Sequence, residues 1–189
     1  MKTRRFWFRA FAMAILALSN VSISDASEEA AWEALRNGGI ALFRHANAPG
    51  TGDPPGMRLG DCSTQRNLDD RGRIQARRIG QAFRSRNIQV GAVLASEWCR
   101  ALETAELAFP GMARGEPVFN SFFDEPEASE PQTATARGLL ARWRGPGALF
   151  ITTHQVNIRA LTGLSPSSGE GVVLKPAEDG FSVVGRIRP

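Results

Sequence analysis

The chain has only two histidines, and both follow directly on a run of mostly apolar residues. His45 comes after Ile40-Ala41-Leu42-Phe43-Arg44, and His154 after Ala148-Leu149-Phe150-Ile151-Thr152-Thr153. An unprotonated imidazole is a nucleophile and a base, and a guanidinium beside it can hold an oxyanion through two parallel hydrogen bonds. Arg44 is next to His45, and Arg100 comes shortly after another apolar run, Val90-Gly91-Ala92-Val93-Leu94-Ala95. A lone histidine at such a point is commonly structural. Two of two in the same setting favour chemistry on an oxyanion.

These side chains need elements to carry them. Each apolar run reads as a short buried strand, and in open α/β sheets the carboxyl ends of the strands are where ligands bind. Helices are expected from Ser27 to Arg36 with Ser27 as N-cap, from Leu68 to Arg86, from Ala101 to Ala108, from Gln132 to Trp143, and from about Asn157. In the second of these, Ile74, Arg78, Ala82 and Phe83 are spaced for a half-buried face. Ser96 is expected to be the N-cap or turn residue ahead of the third, where helix N-terminal amides would add to an anion site. Pro117-Val118-Phe119 is a further strand candidate, and the tail reads as two strands around a turn at Glu178-Asp179-Gly180. The stretch from Ala48 to Gly56 is rich in Gly and Pro and reads as a loop over the first strand end. Strands alternating with helices imply an α/β three-layer sandwich, a mainly parallel central sheet with helices on both faces.

The 189 residues suffice for one domain with a full core. Residues 1–26 are expected to be a secretory signal peptide rather than part of it. Lys2, Arg4, Arg5 and Arg9 form a basic head, Ala10 to Leu18 an apolar run too short to span a bilayer, and Ser24-Asp25-Ala26 a cleavage site. An uncleaved anchor or amphipathic tail is the alternative. The expected domain is then 27–189, periplasmic or secreted, with no stable membrane insertion after cleavage. The whole chain has 23 Lys and Arg against 19 Asp and Glu, a formal net charge of +4. The signal takes four bases and Asp25 with it, so the remainder is close to neutral, and no basic stripe with interleaved aromatics points to nucleic acid. Cys62 and Cys99 are the only cysteines. In an exported chain they read most simply as one disulfide, two free thiols being the alternative. Neither begins a Cys-x5-Arg phosphatase loop, since positions 68 and 105 are Leu68 and Ala105.

Four motifs in order, Arg44-His45, Leu68-x3-Gly72-x2-Gln75-Ala76, Ser96-x3-Arg100-Ala101-x2-Thr104-Ala105 and Thr153-His154, resemble the histidine phosphatase (phosphoglycerate-mutase-like) superfamily. The likeness covers essentially all of the chain after residue 26. It implies that His45 attacks phosphorus to form phosphohistidine, which water then hydrolyses. It also implies that Arg44 and Arg100 grip the phosphoryl oxygens and that His154 stabilises charge on the transferring group. Such a cluster needs neither metal nor cofactor, because phosphoryl transfer asks mainly for positioning and charge stabilisation. For the general acid the candidates are Asp124 and Glu125; with Ser121 in the matching slot there would be none, and good leaving groups such as phosphohistidine or phosphoanhydrides would be favoured. The family usually has glycine after the first histidine, where this chain has Ala46. Asn47-Ala48 and Gln155-Val156 also depart from its pattern, which weighs against a sugar-phosphate mutase.

The reading is therefore an exported, metal-independent phosphatase acting on small-molecule or envelope phosphoesters. Envelope glycolipid phosphates, sugar phosphates and phosphoproteins all satisfy it. A mutase, a non-catalytic domain that binds phosphate-bearing ligands, and a two-histidine metal site are the competing readings; the last lacks any local pattern such as His-Glu-x2-His.

Overall fold

A computed structural model describes residues 23–178 and 180–189. The basic head and apolar run of the expected signal lie outside these residues. In chain order the elements are α1 (Ile23–Arg36), β1 (Ile40–Arg44), α2 (Asp70–Ser85), β2 (Val90–Ala95), α3 (Cys99–Ala108), β3 (Ala113–Gly115), α4 (Ser129–Ala141), β4 (Ala148–Thr153), α5 (Gln155–Thr162), β5 (Gly171–Ala177) and β6 (Gly180–Ile187). The strands form one sheet in the order β3-β2-β4-β1-β5-β6. β1 with β4, β4 with β2 and β2 with β3 pair in parallel, while β5 and β6 add an antiparallel hairpin beside β1.

Alternation along the strands sorts the core onto two faces. Ala41, Phe43, Val93 and Phe150 pack with Trp32 and Leu35 of α1, Ile79 and Phe83 of α2, and Ala105 and Ala108 of α3. Ile40, Leu42, Leu149 and Ile151 pack on the other face with Ala136 and Leu140 of α4 and Ile158 and Leu161 of α5. This is the three-layer α/β sandwich expected. Phe83 is the hub of the first face, its ring centre 5.4 Å from Trp32, 5.4 Å from Phe109 and 5.6 Å from Phe150, all edge-on. Such pairs add about 0.5–1.5 kcal/mol each beyond the area they bury.

Several expectations are corrected. Residues Pro117–Phe119 form a turn of 3-10 helix, and the strand lies earlier, at Ala113–Gly115. Pro117 has no N–H to give a ladder but suits the first position of a helical turn. The buried face of α2 is Gly72, Ala76, Ile79, Gly80 and Phe83, whereas Ile74 is half exposed. The two glycines set that face. A Cβ on Gly80 would fall 2.0 Å from the Ala108 carbonyl oxygen, so the helix approaches its neighbours as only glycine permits. α1 begins before Ser27, α4 begins at Ser129, and α3 begins at Cys99 with Trp98, not Ser96, as its N-cap.

Candidate active site

The site is built first by a strand register. β1 pairs with β4 so that Arg44 lies opposite Thr153, and the next residue of each strand is a histidine. The His45 amide donates to the Thr153 carbonyl at 2.9 Å, carrying the ladder one step beyond the strands. The two imidazoles therefore meet, ring centres 5.5 Å apart and planes at 65°. Both are buried.

The motif residues of α2 and α3 hold the backbone just after His45. Thr104 Oγ1 accepts the Ala46 amide at 3.0 Å and donates to the Arg100 carbonyl at 2.6 Å. Gln75 accepts the Asn47 amide at 3.0 Å and donates to the Ser168 carbonyl at 2.8 Å. Gly72 lies so close to Asn47 that a Cβ there would be 2.1 Å from its carbonyl oxygen. The spacing of these residues is thus a clamp on one turn of chain.

His45 Nδ1 lies 2.7 Å from the Ala46 carbonyl oxygen. A carbonyl only accepts, so Nδ1 carries the proton and Nε2 keeps its lone pair. Burial first, and then the charges of Arg100, Arg44 and Arg66, push the His45 pKa down to about 3, although the Ala46 carbonyl opposes this. Burial, His45 and the same arginines hold His154 well below the ordinary imidazole value. Both rings are neutral near pH 7, as a nitrogen nucleophile requires. His154 Nε2 is 2.8 Å from Ser96 Oγ, and the Trp98 ring packs edge-on against it at 5.4 Å. Ser96, expected as the N-cap or turn residue, is the turn residue, its Oγ accepting the Trp98 amide at 3.3 Å, and it also fixes the second imidazole.

Arg44, His45, Arg100 and His154 line one cleft of about 200 Å³, as do Ser121 and Asp124. Glu125 lies outside that lining. The Nε atoms of Arg44 and Arg100 are buried without a hydrogen-bond partner. Unpartnered guanidinium N–H groups at a cleft of this kind are positioned for an anion. Among the described residues no group of three or more His, Cys, Asp or Glu is arranged to hold a metal ion, and no helix is long and apolar enough to cross a membrane.

Two cleft residues escaped the sequence reading. Arg66 donates from Nε to the Gly52 carbonyl at 2.7 Å and from Nη1 to that of Ala48, which folds the Gly- and Pro-rich loop over the site. Asp53, on that loop, forms a buried ion pair with Arg100 at 2.8 Å. Cys62 and Cys99 are joined by a disulfide that ties the same loop to the start of α3, and the Cys99 amide also donates to Gln65 Oε1 at 2.9 Å. Arg66 stands two residues before the Leu68 motif, a signal that could have drawn attention to it; Asp53 had none beyond its place among glycines and prolines.

Comparison with known proteins bears on this geometry. Residues 40–125 match the histidine phosphatase superfamily (branch 1). A search of curated proteins finds no match. Among solved structures, the protein histidine phosphatase SixA complexed with tungstate is similar at 16% identity and a TM-score of 0.55, over 80% of this chain and 97% of that one. A mycobacterial glucosyl-3-phosphoglycerate phosphatase complexed with VO3 is similar at 15% identity and 0.56, over 77% and 96%. Phosphoglycerate mutase from Thermus thermophilus is similar at 16% identity and 0.53, over 78% and 98%. At these identities the structures speak for the fold. The matched segment carries Arg44, His45 and Arg100, and the sheet brings His154 to them, so that the chain is similar to the histidine phosphatase superfamily over that segment and in its fold.

Proposed function

We propose that this protein is an exported phosphatase that hydrolyses phosphomonoesters through a phosphohistidine on His45, without a metal. The observation that carries the reading is the state of His45: a neutral ring whose Nδ1–H is held by Ala46, leaving the Nε2 lone pair in a cleft lined by three guanidiniums. In the first step Nε2 forms a bond to phosphorus as the bond from phosphorus to the leaving oxygen breaks. Arg44, Arg66 and Arg100 carry the charge on the phosphoryl oxygens, the part a metal ion plays elsewhere. His154, oriented by Ser96, supports the same charge.

The leaving oxygen needs a proton. Asp53 and Asp124 are the carboxyl groups lining the cleft, and the oxygens of Asp53 are taken by Arg100, the Arg66 amide and Trp98. Asp124 is therefore the acid in this scheme. It gives its proton to the leaving oxygen, then receives one from the water that attacks phosphohistidine, and His45 is restored with release of phosphate. Export is supported by the basic and apolar sequence of residues 1–26 and by the disulfide. Envelope or small-molecule phosphoesters are the corresponding substrates.

The test is turnover of p-nitrophenyl phosphate by protein purified from the periplasm, with a chelator present, beside His45→Ala. Chelator-resistant turnover, abolished in the variant, together with an acid-labile phosphoprotein trapped on mixing, is the expected result. Activity that survives His45→Ala discards the nucleophile, and phosphate binding without turnover makes the protein a binding domain.

A further inference from the structure

We propose that Asp53 is a positioning residue that sets how tightly the cleft holds phosphate, by fixing the fork of Arg100 and by cancelling one of the three guanidinium charges around the anion. The proposal rests on the reading of the cleft as a phosphoryl site. Asp53 Oδ1 receives Arg100 Nη1 at 2.8 Å and the Arg66 amide at 3.0 Å, and Oδ2 receives Trp98 Nε1 at 3.0 Å. One carboxylate thus joins the loop before α2, the turn after β2 and the first residues of α3. Its side chain is only 7% exposed, and that of Arg100 is 4% exposed.

Two consequences follow from this arrangement. With Nη1 of Arg100 engaged by Asp53, the Nε and Nη2 edge is left for an oxyanion, and Nε is indeed buried without a partner. The second consequence concerns charge. Arg44, Arg66 and Arg100 bring three positive charges to the cleft and both imidazoles are neutral, so that, apart from Asp124 with the proton it carries as the acid of the proposed scheme, ionised Asp53 leaves a surplus of two to meet a phosphoryl dianion. Burial raises the Asp53 carboxyl, but the hydrogen bonds from Arg100, the Arg66 amide and Trp98 outweigh it and hold it below the ordinary range. A cleft with all three charges uncompensated would bind its own product too well, and turnover requires release.

Asp53→Asn separates the two roles. The amide keeps an oxygen for Arg100 Nη1 and the Arg66 N–H, so the fork stays in place while the negative charge, and with it the bond from Trp98 Nε1, is lost. Asp53→Ala loses both. Binding of inorganic phosphate, followed by calorimetry on the mature, disulfide-bonded protein, is the primary readout because it does not depend on catalysis. The expected result is phosphate bound about tenfold tighter by Asp53→Asn than by wild type, with KM and kcat for p-nitrophenyl phosphate both lowered, and weaker binding by Asp53→Ala. A residue that merely stabilised the loop would weaken binding in both variants. Equal or weaker binding by folded Asp53→Asn overturns the proposal, and so does failure of both variants to fold. A wild type that binds phosphate but turns over no ester refutes the phosphatase reading and leaves the Asp53 comparison intact; a wild type that binds no phosphate ends both.

Discussion

Acid should destabilise this fold through its buried histidines, and the size of the effect can be worked out for His45. Its pKa is about 3 in the folded chain against an ordinary 6.5. Between those values the unfolded chain binds a proton that the folded chain refuses, so stability falls as pH falls through 6.5 toward 3. The slope for one group is about 1.4 kcal/mol per pH unit once the unfolded imidazole is mostly protonated, so lowering the pH from about 7 to about 5 costs about 2 kcal/mol for His45 alone. Carboxylates, which titrate lower, contribute little in that range. His45→Gln removes this term and keeps a polar side chain of similar size. Urea denaturation of both proteins at about pH 7, 6 and 5 provides the assay, the mutant curves losing less on acidification by about 2 kcal/mol at the lowest pH. Parallel loss in the two proteins, to within about 0.5 kcal/mol, would refute the claim that His45 is held neutral by its surroundings.

Three more outcomes are expected. Ser96→Ala takes away the partner 2.8 Å from His154 Nε2, and kcat for p-nitrophenyl phosphate should fall about 10- to 100-fold with little change in KM. Gly72→Ala would set a methyl 2.1 Å from the Asn47 carbonyl oxygen; a loss of about 2–4 kcal/mol in urea denaturation, with activity reduced in the fraction that folds, is the expected result. Replacing both Cys62 and Cys99 by serine opens a link across 37 residues, which chain entropy values at about 3–4 kcal/mol, and phosphate affinity should drop along with the melting temperature because the loop bearing Asp53 and Arg66 is released.

The parts legible in the sequence were those whose environment is uniform. β1 and β4 are buried on both faces, so they appear as unbroken apolar runs, and the histidine ending each was conspicuous because there are only two. Arg100 was found by the same logic after β2. Asp53 and Arg66 were not, because their partners are fixed by a loop that has no period of its own and takes its shape from a disulfide and from contacts with distant residues. The second role of Ser96 was hidden by the first: a serine ahead of a helix looks like a cap, and nothing local says that its hydroxyl turns to a histidine 58 residues away. β3 was missed since three residues, Ala113-Arg114-Gly115, offer no alternation to read, and nearby Pro117-Val118-Phe119 was more apolar.

The hydrogen bond from the His45 amide to Thr153 has a consequence for how the molecule fails. β1 and β4 are the two middle strands of the six, so their separation breaks the whole architecture, and amide protons there should exchange only by global opening. The proposed oxyanion grip also takes Asp53 and Arg66 from a loop outside the strand ladder, tethered to α3 by the disulfide, which can open sub-globally within that tether. Under rising denaturant the protein should forget its ligand first, while the paired imidazoles keep their mutual alignment until the last cooperative unit dissolves.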